Sequence, residues 1–279
     1  MEFCTSVESI REVVTDWKQA GQRIAVVPTM GYLHEGHLSL MRIARQNADR
    51  VVTTIFVNPT QFGPTEDLEK YPRDLAHDRQ LCQEVGVDAI FHPAPAEMYA
   101  PDFSTWVTEE SLSQTLCGAF RPIHFRGVCT VCLKLFNITL ADVAVFGRKD
   151  AQQALVIERM VRDLNIPIRI IQAPLVREAD GLALSSRNKY LSAEERVRAL
   201  ALSRGLRAAQ ARYDAGERAA AALREAVLQE LQPAADSIDY VDVMARATLR
   251  PVALIDQPAL LAIAAYIGKT RLIDNLFLG

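Results

Sequence analysis

The sequence predicts an α/β fold, in which a parallel sheet with helices on both faces is followed by a smaller α+β domain. Short apolar strands alternate with helix-like segments in the first part of the chain, and short links join them. This order implies right-handed strand–helix–strand units and therefore a parallel sheet. After about Val176 the chain changes to a long stretch rich in Ala, Arg, Glu and Leu. We therefore expect one domain at residues 1–176 and a smaller one at 177–279.

Composition excludes several classes of protein. The chain has 279 residues, of which 49% are hydrophobic, and 31 Lys and Arg against 34 Asp and Glu give a formal net charge of -3. This apolar content excludes a disordered or collagen-like chain. The near-neutral charge argues against binding of nucleic acid through bulk electrostatics, but it leaves room for a local basic pocket.

Cellular location is predicted from the termini, the apolar runs and the cysteines. We find no run of about 18 apolar residues, which a membrane span requires, and no basic segment followed by an apolar one at the N-terminus. The five cysteines are scattered, which fits reduced thiols. Cys129 and Cys132 form a single C-x-x-C pair, for which buried packing is favoured over zinc or redox chemistry. We expect a cytoplasmic protein that binds neither membranes nor nucleic acid.

The elements of the first domain follow from caps and periodicity. Thr5 and Glu8 indicate a capping box for a helix that ends near Gly21, and the spacing of Leu38 and Met41 indicates a second helix. The predicted segments after the first helix are strand 23–28, helix 38–48, strand 51–57, helix 74–85, strand 89–92, a helix from about 127, strand 143–146, helix 151–165 and strand 168–172.

The smaller domain begins with a second capping box. Ser192 and Glu195 precede a long helical stretch that is interrupted near Asp214 and Gly216. Strand-like runs follow at 238–243 and 260–267. Helices and strands therefore do not alternate here, which indicates an α+β arrangement.

Polar segments directly follow three strands of the predicted sheet, at Thr29–His37, Asn58–Phe62 and Gly147–Asp150. Parallel sheets bind ligands beyond the carboxyl ends of their strands, where the strand order reverses. The sequence therefore predicts a ligand site formed by these segments.

Two histidines, His34 and His37, flank Gly36 where a strand turns into a helix. The start of a helix offers N–H groups and the positive end of its dipole, and histidines there can stabilise charge that builds on a phosphate. A zinc site would need histidines at i and i+4, whereas these are at i and i+3, and we expect helix geometry to turn their rings apart. A structural role in the turn is the other alternative.

Two further segments offer polar groups to a nucleotide. Lys149 suits a point-charge contact to phosphate, and Asp150 can cap a helix or contact a ribose hydroxyl. The segment Leu184–Asn188 combines two hydroxyls with a guanidinium, a fork that matches triphosphate oxygens. Taken singly, Lys149 and Asp150 are weak evidence, since exposed ion pairs of this kind are common. For Leu184–Asn188 taken singly, a turn after Asp180 and Gly181 is favoured over a binding site.

The segment Asn58–Phe62 combines amide side chains with an apolar ring. Gln61 both donates and accepts hydrogen bonds and can orient a small polar substrate, although Asn-Pro is also typical of a structural turn. Asp74 and Asp78 lie four residues apart on the predicted helix. The pattern leaves open whether they hold Mg²⁺ or belong to a solvated helix face.

The histidine turn and the Ser-Ser-Arg segment together resemble the two signatures of the adenylylating nucleotidyltransferases. Within that superfamily the sequence resembles the pantoate–β-alanine ligase family. The matching segments, in the family's order and spacing, are PTMGYLHEGH (28–37), IFVNPTQF (55–62), RPIHFRGV (121–128), GRKDAQQ (147–153), VREADGLALSSRN (176–188) and GKTRLIDN (268–275).

The resemblance implies a Rossmann-like domain that binds ATP and pantoate, with a smaller C-terminal domain that closes over the ATP site. It implies a cytoplasmic homodimer with the small-molecule substrates ATP, pantoate and β-alanine, and with Mg²⁺ accompanying ATP. Pantoate attacks the α-phosphorus to give pantoyl adenylate and pyrophosphate. β-Alanine then displaces AMP to give pantothenate.

The resemblance also implies roles for particular residues. The catalytic residues would be His37, His34, Lys149 and Arg187, and the substrate contacts would be Gln61, for both pantoate and β-alanine, and Gln153, for pantoate. The ATP site would comprise Met30, Gly31, Tyr32, Leu33, His34, Glu35, Gly36, His37, Gly147, Arg148, Lys149, Asp150, Val176, Leu184, Ser185, Ser186 and Arg187.

Some positions depart from the family's usual pattern. Arg148 stands where Glu is usual, Ala151 where an aromatic residue is frequent, and Cys117 near a position that is often acidic. These departures concern pocket detail, since Lys149 and Asp150 are retained. Three alternatives remain: another adenylyltransferase with an H-x-G-H turn, an ATP-binding module without catalysis, and a zinc hydrolase. The sequence does not identify the ligands of Mg²⁺.

Overall fold

The structure, a computed structural model, describes residues 1–64, 66 and 68–279. The chain divides into two compact units. The first unit comprises Met1–Glu109, Arg121–Arg148 and Gln153–Pro174; the second comprises Glu110–Phe120, Lys149–Gln152 and Leu175–Gly279. The predicted domain boundary after residue 176 remains a prediction.

The elements have the following bounds. The strands are β1 (Glu2–Cys4), β2 (Ile24–Thr29), β3 (Arg50–Ile55), β4 (Ala89–Phe91), β5 (Val143–Gly147), β6 (Arg169–Ala173), β7 (Ser237–Ala245), β8 (Ala259–Ile267) and β9 (Thr270–Leu278). The helices are α1 (Val7–Gln19), α2 (Glu35–Asn47), α3 (Leu75–Glu84), α4 (Pro95–Met98), α5 (Cys117–Phe120), α6 (His124–Thr139), α7 (Ala151–Asp163), α8 (Ala193–Asp214) and α9 (Ala220–Leu231). Short 3-10 turns lie at Pro59–Gln61, Leu112–Gln114, Arg148–Asp150 and Ser186–Tyr190.

The first unit is built on a parallel sheet. Within the described residues its strand order is β1-β4-β3-β2-β5-β6, and every pairing is parallel. Alternate residues of β2, such as Ala25 and Val27, pack with α2 and α3, while Ile24 and Val26 are equally buried. Both faces of β2 are therefore covered, which explains why its sequence is continuously apolar. The predicted fold class is confirmed.

The second unit contains an antiparallel sheet in the order β7-β8-β9. Apolar residues of α8 and α9, including Leu202, Leu206 and Leu223, form one core with residues of these strands. The predicted capping box before α8 is present: Ser192 Oγ accepts from the N–H of Glu195, whose carboxylate accepts from the N–H of Ser192. None of the helices in the described part of the chain is both long enough and apolar enough to span a membrane.

One sequence prediction about the elements was wrong, and two strands were not predicted. The first helix is capped by Ser6 with Ser9, one position after the predicted Thr5 and Glu8 pair, because Ser9 can return the hydrogen bond to the N-cap. Strand β1 was missed because its three residues are fixed only by pairing with distant β4. Strand β9 was missed because polar residues interrupt its alternation, and its place comes from a tight hairpin at Gly268, where φ is +57°.

Candidate active site

Three loops of the predicted site leave neighbouring strands at one end of the parallel sheet. Strands β3, β2 and β5 are adjacent, and their carboxyl ends are Ile55, Thr29 and Gly147. The strand order reverses between β2 and β5, because the chain proceeds from β2 to β4 in one direction and then returns to the other side of β2. This is the type of position at which open parallel sheets bind ligands.

The turn between β2 and α2 requires glycine at its start. Gly31 has φ +81°, in the left-handed region that favours glycine. A Cβ at Gly31 would lie 2.9 Å from Oδ2 of Asp78 and 3.0 Å from Cγ2 of Ile55. Both the backbone conformation and these close neighbours therefore exclude a larger side chain.

Asp78 holds this turn in place. Its carboxylate, which is only 1% exposed, accepts hydrogen bonds from the N–H groups of Tyr32 at 2.8 Å and Leu33 at 2.7 Å. Burial raises the pKa of Asp78 and outweighs these two bonds, which act to lower it. A solvated helix face is therefore wrong for Asp78, while Asp74 caps α3 through the N–H of His77.

His34 and His37 lie ring against ring. Their centroids are 4.1 Å apart with an interplanar angle of 38°, so the expectation that the rings turn apart was wrong. The reason is that His34 is the N-cap of α2 and has an extended backbone (φ -146°, ψ 174°), so helical spacing does not govern its side chain. In the described residues no group of three or more His, Cys, Asp or Glu side chains is arranged to hold a metal ion.

Gln61 is buried in the turn after β3 and contacts the histidine turn through Met30. Its side chain is 8% exposed, and Nε2 lies 3.4 Å from Sδ of Met30. The backbone carbonyl oxygen of Gln61 accepts a hydrogen bond from Nη2 of Arg121 at 3.3 Å. It also lies 3.0 Å from Nδ1 of His124, which must donate to it. The structure thus brings together Met30 and Gln61, two residues predicted for different ligands.

Gly127 allows α6 to approach this turn closely. A Cβ there would lie 2.5 Å from the carbonyl oxygen of Thr60 and 2.7 Å from the nitrogen of Gln61. Arg121, His124 and Gly127 lie in the RPIHFRGV segment, and the sequence alone predicts no role for them. Their position in a matching segment was the available signal, and their contacts with the turn explain it.

In the second unit, Lys149 is held by its neighbours. Its ammonium lies 3.7 Å from a carboxylate oxygen of Asp150. Its carbonyl oxygen accepts a hydrogen bond of 2.9 Å from Nδ2 of Asn275. The neighbouring Asp274, whose side chain is 1% exposed, pairs with both terminal nitrogens of Arg177. The matching segment at 268–275 therefore anchors two parts of the predicted nucleotide site.

The segment from Val176 to Arg187 folds back on itself. The N–H of Leu184 donates to the carbonyl oxygen of Val176 at 3.0 Å, and the turn between them contains Gly181 with φ +97°. Ser185 caps the following 3-10 turn, because its hydroxyl accepts from the N–H of Arg187. The residues that were predicted to form a turn are therefore the same residues that are predicted to contact the nucleotide.

Glu178 fixes the end of this segment. Its carboxylate accepts from Nδ2 of buried Asn188 at 2.7 Å and from Arg196 at 2.5 Å. Asn188 also donates to the carbonyl oxygen of Ala183 at 3.0 Å. These bonds hold the chain on the carboxyl side of Arg187.

The predicted site residues are divided between the two units. Gln153 lies in α7 and Arg148 follows β5, both in the first unit, while Lys149, Asp150 and the segment that ends at Arg187 belong to the second. Glu35 lies in the first turn of α2, where Arg42 binds it and lowers the pKa of its carboxyl.

The C-x-x-C pair lies in the core of α6. Cys129 and Cys132 are 0% and 4% exposed, and both are free thiols. Burial raises the pKa of Cys129 to about 12 and also raises that of Cys132. The predicted role in packing is confirmed.

The chain is similar to known proteins over nearly its whole length. Residues 2–277 match the model of the family described as pantoate–β-alanine ligase. The chain belongs to this family. A pantothenate synthetase from Moorella thermoacetica is 56% identical over 279 residues, with 100% of this chain and 99% of the relative covered. One from Pelotomaculum thermopropionicum is 55% identical over 281 residues, with coverage of 100% and 99%.

Solved structures of the family are also similar over the full length, at lower sequence identity. The pantothenate synthetase of Thermus thermophilus has a TM-score of 0.94 at 43% identity, covering 99% of both chains. The pantoate–β-alanine ligase of Francisella tularensis, solved as a complex with "Beta-gamma ATP" and β-alanine, has a TM-score of 0.82 at 32% identity and covers 99% of this chain and 97% of its own. The family resemblance and the prediction of a ligase, as opposed to a non-catalytic module, are confirmed.

Proposed function

We propose that this chain joins pantoate to β-alanine in an amide bond, with ATP cleaved to AMP and pyrophosphate. The observation that carries the proposal is the pair of histidine rings at the amino end of α2, located at the switch point of the parallel sheet. A helix start at such a point suits a phosphate group. Full-length similarity to pantothenate synthetases supports pantoate and β-alanine as the two substrates.

The first step forms pantoyl adenylate. A carboxylate oxygen of pantoate attacks the α-phosphorus, a P–O bond forms, and the bond to the β-phosphate breaks to release pyrophosphate. Negative charge is concentrated on the α-phosphate in this step. We assign its stabilisation to His34, His37, Lys149 and Arg187, with His37 as the principal donor.

The second step forms the amide. The unprotonated amine of β-alanine attacks the acyl carbon, AMP leaves with the electrons of the acyl C–O bond, and the nitrogen releases one proton to solvent. Since the adenylate is already activated, this step needs mainly positioning. We assign Gln61 to both pantoate and β-alanine and Gln153 to pantoate.

The remaining nucleotide contacts are proposed for backbone and polar groups around these residues. They are Met30 to Gly36, Gly147, Arg148, Asp150, Val176, Leu184, Ser185 and Ser186. A domain that comprises residues 177–279 would close over the nucleotide.

We propose that Mg²⁺ accompanies the triphosphate and supplies charge neutralisation there, because Mg²⁺ is usually held largely by substrate phosphates and water. Asp78 does not fit as its ligand, since both carboxylate oxygens accept backbone N–H groups. Asp74 is engaged as a helix cap. Asp150, with a side chain 49% exposed, is the carboxylate of the predicted site that fits such a role best.

The assembly and location of the protein are proposed as well. We propose a homodimer in the cytoplasm that acts on small molecules and binds no nucleic acid. The five cysteines all lie in the described part of the chain and form no disulfide, which supports a reducing compartment. Size-exclusion chromatography with light scattering tests the dimer.

The decisive experiment is exchange of radiolabelled pyrophosphate into ATP. We expect exchange that depends on pantoate and does not require β-alanine, because only the first step is reversible in this assay. With all three substrates, the nucleotide product should be AMP. Exchange without pantoate, or with another acid in preference to it, would contradict the substrate assignment, and ADP as the product would contradict adenylation.

A further inference from the structure

A series of hydrogen bonds runs from Tyr99 to Gln61 through Asn58. The hydroxyl of Tyr99 donates to Oδ1 of Asn58 at 2.8 Å, and Nδ2 of Asn58 donates to Oε1 of Gln61 at 3.1 Å. Asn58 is 1% exposed. Tyr99 begins this series and lies outside the six short motif segments of the sequence.

The partners of Asn58 fix which way its amide points. Nδ2 lies 3.2 Å from the carbonyl oxygen of Gly127, which can only accept a hydrogen bond. Oδ1 lies 2.9 Å from the hydroxyl of Thr60 and 2.8 Å from that of Tyr99, and both hydroxyls can donate to it. A flipped amide would face the Gly127 carbonyl with an oxygen, so the orientation is determined.

The orientation of Asn58 in turn determines that of Gln61. Because Asn58 offers a donor, Gln61 must turn its acceptor Oε1 towards it. The NH2 group of Gln61 then points the other way, where its neighbour is Sδ of Met30 at 3.4 Å. An NH2 group is the end of a glutamine amide that can bind a carboxylate.

We propose that Tyr99 is a positioning residue, which acts through Asn58 to keep the NH2 group of Gln61 directed at the carboxylate of the acid substrate. The inference rests on the proposed function, in which Gln61 contacts pantoate. Tyr99 contacts no substrate in this arrangement. Its hydroxyl supplements the Gly127 carbonyl in holding both amides in the orientation that presents the NH2 group of Gln61 to the carboxylate.

The surroundings of Tyr99 suit this role. Burial raises the pKa of its phenol, so the hydroxyl stays protonated and remains a donor at neutral pH. Its ring packs edge-on against Phe103, with centroids 5.0 Å apart, and lies 6.3 Å from that of Phe56. A phenylalanine at this position would keep these ring contacts and lose only the hydroxyl.

The test is a double-mutant cycle of Tyr99→Phe with Gln61→Ala, read out by pantoate-dependent pyrophosphate exchange. Loss of one hydrogen bond predicts about a 5-fold rise in the KM for pantoate in Tyr99→Phe, with the KM for ATP within about 2-fold of wild type. In the Gln61→Ala background the same substitution should change the pantoate KM by less than about 2-fold. A purely structural role would act equally in both backgrounds.

The control is Tyr213→Phe, which removes a hydroxyl from α8 in the second unit and should leave both KM values unchanged. An unchanged pantoate KM in Tyr99→Phe, or an equal effect with and without Gln61, would overturn the positioning role alone. Absence of pantoate-dependent exchange in the wild-type protein would overturn the proposed function and this inference together. The two failures are therefore distinguishable in one set of assays.

Discussion

The backbone N–H of His34 donates a hydrogen bond to Nδ1 of His37 at 3.3 Å. Because Nδ1 accepts, a neutral His37 ring carries its proton on Nε2. The bond also satisfies an N–H group at the start of α2. The turn itself thus selects the tautomer whose Nε2–H can donate to an oxygen of the α-phosphate.

This relationship separates the chemical role of His37 from its structural role. We expect His37→Ala to lower the rate of adenylation by about 10²–10⁴, the range for a positioned acid–base group. His37→Asn retains an acceptor near Nδ1 for the N–H of His34 but lacks Nε2. It should therefore lose activity to the same extent, while its melting temperature stays closer to that of wild type.

Single-turnover measurement of pantoyl adenylate, together with thermal unfolding, checks this prediction. The matched control is His77→Ala on α3, since His77 is exposed and its imidazole has no role in the proposed reaction. Near-wild-type adenylation by His37→Asn would remove Nε2 from the mechanism.

Because Asp78 is buried, the stability of the folded protein should depend on pH in a particular way. Burial raises its folded-state pKa above the unfolded value of about 3.9. The folded state therefore binds the proton more tightly, so the stability contributed by this group is greatest below the unfolded pKa and falls as the pH rises through the folded pKa. The Asp78→Asn variant lacks this titrating group. We therefore compare the free energies of unfolding of wild type and variant, and we expect wild type minus variant to fall as the pH rises from the unfolded to the folded pKa of Asp78.

Urea unfolding from pH 4 to 7 measures that difference. Asp74→Asn provides the control, because Asn is also a good N-cap and the position is exposed. A difference for Asp78→Asn that grows with pH would show that the two backbone N–H groups outweigh burial.

A single methyl group added at Gly127 should disturb the turn that contains Gln61. In Gly127→Ala the Cβ would meet backbone atoms of Thr60 and Gln61 at 2.5–2.7 Å, and backbone cannot move away as a flexible side chain can. We expect overpacking to cost about 1–3 kcal/mol. A displaced Gln61 should lower kcat/KM for pantoate by about 10²-fold, as for a substrate misplaced by about 1 Å.

The matched substitution is Gly63→Ala, two residues beyond Gln61. Its Cβ would meet only side-chain atoms of Glu66, at 3.6 Å or more, and its φ is not positive. We expect kcat/KM within about 2-fold of wild type. Equal losses in the two variants would mean that the turn tolerates no side chain at all, and that the contact with α6 is not the cause.

The sequence was sufficient for those features that depend on local pattern. The continuous, largely β-branched run at 51–57 predicted a strand buried on both faces, and parallel pairing followed from the alternation of strands with helices. The polar segments after β2, β3 and β5 were predicted to share one edge of a sheet, and adjacent strands bring them there.

Features that depend on tertiary contact could not be predicted in this way. Asp78 resembles any acidic residue on a helix until the turn at Tyr32 is packed against it. The stacking of His34 on His37 depends on an extended N-cap residue. Tyr99 lies 38 residues from Gln61 in a part of the chain without any motif, and only the fold connects the two through Asn58.

Substitution of Asn275 should raise the KM for ATP selectively. Its Nδ2 donates to the carbonyl oxygen of Lys149, and the residue is 8% exposed. Asn275→Ala removes this donor and leaves the carbonyl of Lys149 without it. Since one hydrogen bond contributes about 1 kcal/mol, we expect a rise of about 5-fold in the KM for ATP.

The KM for pantoate distinguishes a displacement of Lys149 alone from a loss of structure throughout the second unit. Lys149 is assigned to phosphate, so its displacement should leave the pantoate KM of Asn275→Ala within about 2-fold of wild type. Asn137→Ala removes an exposed amide from α6 and should change neither constant. Equal increases in both KM values in Asn275→Ala, accompanied by a lower melting temperature, would mean that β9 supports the second unit as a whole and does not position Lys149 in particular.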